Sequence, residues 1–115
     1  MELNYTYKAV VLRWIDGDTC DLAVDLGFRI ILEMRVRLYG INAPEIKGET
    51  KEEGLRTKAF VEDNCKSGTE VIIKTYKDKQ EKYGRYLAEI WFNFGGTQVC
   101  LNQLLIDKKL ASKYE

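Results

Sequence analysis

Met34-Arg35-Val36-Arg37-Leu38-Tyr39-Gly40-Ile41-Asn42-Ala43-Pro44-Glu45 is the stretch from which the rest of the chain can be read. Its first half alternates. Met34, Val36 and Leu38 fall on one side of an extended backbone, and Arg35, Arg37 and Tyr39 fall on the other. That is the period of a strand with one face in a core and the other carrying charge. Its second half ends the run, because Pro44 cannot donate to a strand ladder, and Glu45 follows on a loop beyond the strand end. An arginine, an amide oxygen and a glutamate are thus gathered where one apolar run stops.

Working outward toward the N-terminus, residues 5–15 alternate and are rich in valine and aromatic side chains, which predicts a strand. Residues 18–25 and 29–41 read as the next two, joined by a hairpin turn at Asp25-Leu26-Gly27-Phe28. Toward the C-terminus, Thr50-Lys51-Glu52-Glu53 has the pattern of a capping box. A helix is predicted from about 51 to 66, stopping at Ser67-Gly68, with Leu55, Ala59 and Phe60 on its buried side. Gly54 within it costs about 1 kcal/mol relative to alanine. Residues 70–76 and 86–93 read as strands, and after Gly95-Gly96 the segment 100–108 sets Leu101, Leu104, Leu105 and Lys108 at helical spacing. This order points to a small closed β-barrel with helices packed on it, though propensity alone leaves several all-β and α+β arrangements open.

Composition narrows the chemistry. At 115 residues the chain is expected to form one domain with its own core. There is no histidine, which excludes a Ser-His-Asp triad, a histidine general base and the common histidine-rich zinc sites. Cys20, Cys65 and Cys100 are odd in number and lack C-x-x-C spacing, so buried reduced thiols are expected. Lysine plus arginine balance aspartate plus glutamate at 18 each, which implies local capture of an anionic partner and little long-range steering. The charges are uneven, however: Lys74, Lys77, Lys79, Lys82 and Arg85 cluster in one segment. No apolar run approaches the roughly 18 residues of a membrane span. Met1-Glu2-Leu3-Asn4 lacks the start of a signal peptide, so a cytoplasmic location is expected. No obligate protein partner is evident, and a monomer is the default.

Two further motifs complete the set: Ile15-Asp16-Gly17-Asp18-Thr19 and Lys82-Tyr83-Gly84-Arg85. In the first, Asp18 is the best candidate for a direct metal ligand, and Asp16 could join through a water. Hard oxygen donors of this kind suit Ca²⁺ or Mg²⁺. A hairpin turn with two solvated aspartates is the plainer reading of that pentapeptide taken alone. Arg37 and Arg85 could clamp a phosphate, since each offers a planar fork that keeps its charge. The plainer readings are a strand-surface arginine and a solvated turn.

In order and spacing, the three motifs resemble the staphylococcal nuclease (thermonuclease) family, from about Val10 to Ala111. The resemblance implies a five-stranded OB-type barrel with two packed helices, whose open face often binds oligonucleotides. It implies a Ca²⁺-dependent phosphodiesterase, with Mg²⁺ or Mn²⁺ as other candidate ions, acting on DNA and also RNA with low sequence specificity. Glu45 matches the family's general base, and Lys82 and Tyr83 match residues that contact the nucleotide's phosphate. Asn42 and Ala43 match metal-site positions. Asn42 stands where the family pattern has an aspartate, which keeps an oxygen but removes a charge and weakens ion binding. Ala43 stands for a threonine that offers its backbone carbonyl. The loop from Ile46 to Glu53 is short. Lys109 replaces a glycine expected in a left-handed conformation, at about 1 kcal/mol. Tyr114 lies near an active-site tyrosine of the family. The alternative is a non-catalytic barrel binding nucleic acid or a protein, with a structural assembly module as a third reading.

Overall fold

Alternating apolar side chains build the barrel. The computed structural model describes residues 5–80 and 86–114 of the chain. Strand β1 (Thr6–Asp16) turns back into β2 (Thr19–Asp25), and β2 into β3 (Ile31–Leu38), both antiparallel. A short β4 (Ile41–Asn42), a 3-10 turn (Gly48–Thr50) and helix α1 (Lys51–Asn64) follow. Next come β5 (Glu70–Gln80), β6 (Tyr86–Phe94), β7 (Thr97–Cys100), helix α2 (Leu101–Asp107) and β8 (Ser112–Lys113). The strand order is β3-β2-β1-β5-β6-β7, and β6 returns to pair in parallel with β3 over Val36–Tyr86 to Leu38–Ala88. Five strands therefore close into the expected OB-type barrel, with two helices packed on it.

Val11, Leu22, Val36, Leu38, Ile73 and Ile90 line the interior at 0 % exposure, joined there by Leu101 and Leu105 of α2. Each such side chain contributes roughly 1.5–3 kcal/mol through burial. The inward face of β3 is the one expected, with Val36 and Leu38 buried and Met34 half-buried. Asn102 is a buried polar side chain against this core. Its Oδ1 accepts from the Ile90 N–H, and its Nδ2 donates to the carbonyls of Tyr39 and Ala88, tying α2 to the end of β3 and to β6.

Several expectations are corrected. The third strand does not run unbroken over 29–41, because the chain turns at Tyr39-Gly40 and β4 leaves β3 to pair with β8 instead. The hairpin between β2 and β3 is wider than a two-residue turn. Leu26 N–H donates to Ile30 O and Ile30 N–H to Gly27 O, with Phe28 and Arg29 both at positive φ. The Gly95-Gly96 turn leads into β7 before α2 begins. Thr50 does not cap α1 through its side chain, since its hydroxyl donates to the Glu45 carbonyl. Helix α1 also presents a different face. Gly54, Thr57 and Val61 are buried, Leu55 and Ala59 are exposed, and Phe60 is half-buried. The reason is steric: α1 lies on the Gly17 turn and the Pro44-Glu45 backbone, which admit only small side chains. Lys109 does take the left-handed conformation, at φ 59°. Cys20 and Cys65 are buried and Cys100 is half-buried, all unpaired. Burial pushes the Cys65 thiol up to about 12 and raises Cys20 as well, which makes both poor nucleophiles.

Candidate active site

The β1–β2 turn supplies the first side chains. Asp16 and Thr19 face each other across Gly17-Asp18. Gly17 is required there by space, because a Cβ would lie 2.5 Å from Thr57 Cγ2. Asp18 is only 7 % exposed, so the reading of two solvated aspartates on a free hairpin fails. Its Oδ1 accepts from the Thr19 hydroxyl at 3.1 Å, and its Oδ2 accepts from the Ala43 N–H at 2.9 Å. Its own N–H reaches Asp16 Oδ1 at 3.3 Å, and its carbonyl accepts from Leu38 N–H. One carboxylate thus welds the turn to the loop that follows β3, bringing together residues 25 positions apart.

Arg37 comes to the same place from β3. Its Nη2 lies 3.7 Å from Asp18 Oδ2 and donates to Asn42 Oδ1 at 2.9 Å. The Arg37 side chain is 11 % exposed, so it is not a free surface arginine. Its guanidinium carbon stands 5.0 Å from the centre of the Tyr114 ring. Tyr114 is held there by its N–H, which donates to Gly40 O, and by β8, whose Ser112 and Lys113 pair with Asn42 and Ile41. Thr57 ties this C-terminal strap to α1 by donating to Leu110 O at 2.6 Å.

Glu45 stands two residues beyond Ala43 and is exposed. Its backbone is fixed from two sides. The carbonyl accepts from Thr50 Oγ1 at 2.8 Å, and Gly54 packs directly against it. A Cβ on Gly54 would lie 2.5 Å from the Glu45 oxygen and 2.7 Å from that of Pro44. The helix glycine is therefore the means by which α1 lets the Glu45 loop approach.

The structure brings Asp16, Asp18, Arg37, Asn42 and Ala43 together, with Glu45 on the adjoining loop. Lys82, Tyr83 and Arg85 lie outside the described residues. The strand that follows them starts beside the site, since Tyr86 pairs with Val36 and Leu87 with Arg37. Thr57, Asn102 and the β8 strap were not legible in the sequence. A threonine in mid-helix, an asparagine in a leucine-rich segment and a two-residue strand carry no pattern of their own.

The donor set is hard. Among the described residues no cluster of three or more histidine, cysteine, aspartate or glutamate side chains occurs, so an ion here would rely partly on neutral oxygens. Asp16 and Asp18 supply the carboxylates. Burial, followed by a hydrogen bond and like charge from Asp18, raises the Asp16 carboxyl to about 6. Two carboxylates that disfavour each other's charge in a desolvated corner are the pair a divalent cation relieves. In that respect the residues fit a hard ion. Asn42 fits less readily, because its amide oxygen is engaged by Arg37.

Comparison with known proteins bears on the family of the chain. The chain is 28% identical over 128 aligned positions to the uncharacterized protein MJ1439 of Methanocaldococcus jannaschii, an alignment that takes in 94% of the chain. It spans 59% of that protein's length. The family model for staphylococcal nuclease homologues matches residues 35–115, a span that starts within β3 and holds Arg37, the Asn42–Glu45 loop and the strap, while the Asp16–Asp18 turn precedes it. With more than half of its length matched, this chain belongs to the staphylococcal nuclease homologue family.

Proposed function

We propose that the protein is a metal-dependent phosphodiesterase that hydrolyses DNA, and RNA by the same chemistry, with low sequence specificity. The observation that carries this reading is the buried Asp18 carboxylate, which is bonded to Ala43 N–H and has Arg37 beside it at 3.7 Å. Acid and base are there placed around one small volume next to the Glu45 loop.

Asp18 and Asp16 would hold the ion, with Asn42 and the Ala43 carbonyl as further oxygen donors. Calcium is favoured, and Mg²⁺ or Mn²⁺ would suit the same donors. A bound divalent ion supplies charge compensation on the phosphoryl oxygens. Arg37 would offer its fork to a phosphate oxygen, releasing Asn42 as it does so, and Arg85 would take a second. Glu45, exposed at the loop, would accept the proton of the attacking water, relying on position more than on basicity. Lys82 and Tyr83 would bind the neighbouring phosphate. The whole chain would act as one domain.

The second reading is a barrel that binds nucleic acid without cutting it, and it draws on the Arg37–Asn42 bond, which occupies both groups. A cleavage assay on single-stranded DNA with calcium, repeated with chelator, separates the two. Metal-dependent cutting supports the enzyme. Retardation in a gel with intact DNA supports the binding module.

A further inference from the structure

We infer that the hairpin joining β2 and β3, with the outer face of the sheet beside it, is a self-complementary surface that pairs two copies of this chain. It lies apart from the nuclease-like site and does not depend on the activity proposed there.

The hairpin is apolar where a solvated turn should be polar. Phe28 is 97% exposed, and Leu26, Ile30, Ile31 and Leu32 are 39%, 53%, 59% and 47% exposed. Five exposed apolar side chains fall within seven residues, with Ile31 on the outer face of the sheet beside Asp25 and Leu32 on the opposite face. The tip is also strained. Phe28 and Arg29 sit at φ 54° and 63°, a conformation costing a side chain roughly 1–2 kcal/mol per residue. Strain spent on holding a phenylalanine out in water points to a use for that phenylalanine.

The same chain carries a matching depression. A groove of about 560 Å³ crosses the outer face of the sheet, floored by Val10, Ala23, Ile31, Ile72 and Trp91. It begins at Asp25 and Ile31, the residues that flank the hairpin, so knob and hole are neighbours. Phe28 at its exposure fills nothing within its own chain. Neighbouring knob and hole are the arrangement that a two-fold axis satisfies in both directions at once, because residue i meets j and j meets i.

Charge selects a second copy as the occupant. Arg29 stands next to Phe28, and among the described residues it makes no ion pair. Asp25, Glu70 and Lys8 line the groove, which leaves its rim acidic by one charge for the Arg29 of a partner to meet. The chain has a formal net charge of zero, so two copies approach without mutual repulsion. An anionic membrane or nucleic acid would find Asp25 and Glu33 on the same hairpin region as Arg29 and Arg35, and would gain little.

Sedimentation velocity on the full chain over a concentration series tests this. The expected result is a monomer–dimer equilibrium. Phe28→Asn should weaken it by about a hundredfold or more, since a central anchor is lost twice per dimer. Asparagine tolerates positive φ, so this variant should keep the fold by circular dichroism. Arg29→Glu should weaken the dimer, and Arg29→Glu combined with Glu70→Arg should restore it. A wild-type chain that stays monomeric at millimolar concentration overturns the inference. So does a dimer that Phe28→Asn leaves unchanged, or a monomer that instead binds phosphatidylserine vesicles through Phe28.

Discussion

Gly54 and Glu45 touch backbone to backbone. The glycine in the first turns of α1 lies so close to the Glu45 carbonyl that a single added methyl would sit 2.5 Å from its oxygen. The position of the loop bearing the proposed base is therefore set by the absence of one side chain.

Gly54→Ala separates local propensity from this contact. On helix propensity alone alanine should stabilise by about 1 kcal/mol. The clash is with backbone, which cannot swing aside, so a net loss of roughly 1–3 kcal/mol is expected in a urea melt. Any cleavage activity should fall further than the stability change explains, because the loop moves. A more stable and equally active variant would contradict the packing described.

Asp18 has a structural duty that can be told apart from its charge. Asp18→Asn keeps an oxygen for the Ala43 N–H, whereas Asp18→Ala leaves that buried donor unpaired. The alanine variant should be less stable than the asparagine variant by about 1–3 kcal/mol. Both should lose calcium binding in a calorimetric titration. Equal stability of the two variants would show that the bond to Ala43 contributes nothing.

Acid should weaken the fold through Asp21. Its carboxyl lies below the usual range because Arg35 hydrogen-bonds it at 2.8 Å, with Arg13 also at 2.8 Å and burial opposing both. A carboxyl depressed in the folded state adds stability above its unfolded value of 3.8, and that stability is lost as pH falls below it through the folded value. The margin in urea midpoint of the wild type over Asp21→Asn should therefore shrink as pH goes from 5 toward 3, a range set by that unfolded value, while the raised Asp16 carboxyl acts alike in both proteins. Parallel curves for the two proteins would count against the Asp21 assignment.

Asn102 serves three backbone groups from within the core: Ile90 N–H and the carbonyls of Tyr39 and Ala88. Asn102→Leu removes all of those partners while keeping a similar volume, and a loss of about 2–4 kcal/mol is expected from buried groups left unpaired. Hydrogen exchange should show the loss at Ile90 first. Unchanged protection there would refute the role given to this residue.

Much of this was legible in the sequence, and what was missed has identifiable causes. The alternation of Met34, Val36 and Leu38 fixed the inner face of β3, and the Asp18, Arg37 and Asn42 motifs do meet in space. The helix face was misread because apolar spacing marks Leu55 and Ala59, whereas the neighbouring surface accepts only Gly54, Thr57 and Val61. The capping pattern at Thr50 was misread because its hydroxyl serves the Glu45 carbonyl, a partner brought near by the fold. The β4–β8 pairing joins segments 70 residues apart through two residues each, too short for any periodicity to show.

Glu45→Gln is the sharpest check on whether these groups surround one reacting phosphate with Glu45 as the base. The measurement is cleavage of an end-labelled single-stranded DNA in calcium, run beside gel retardation of the same strand. The expected result is wild-type cutting that chelator abolishes, and a variant that still binds the strand but cuts it at least about a hundredfold more slowly. A folded Glu45→Gln protein that cuts at the wild-type rate would contradict it.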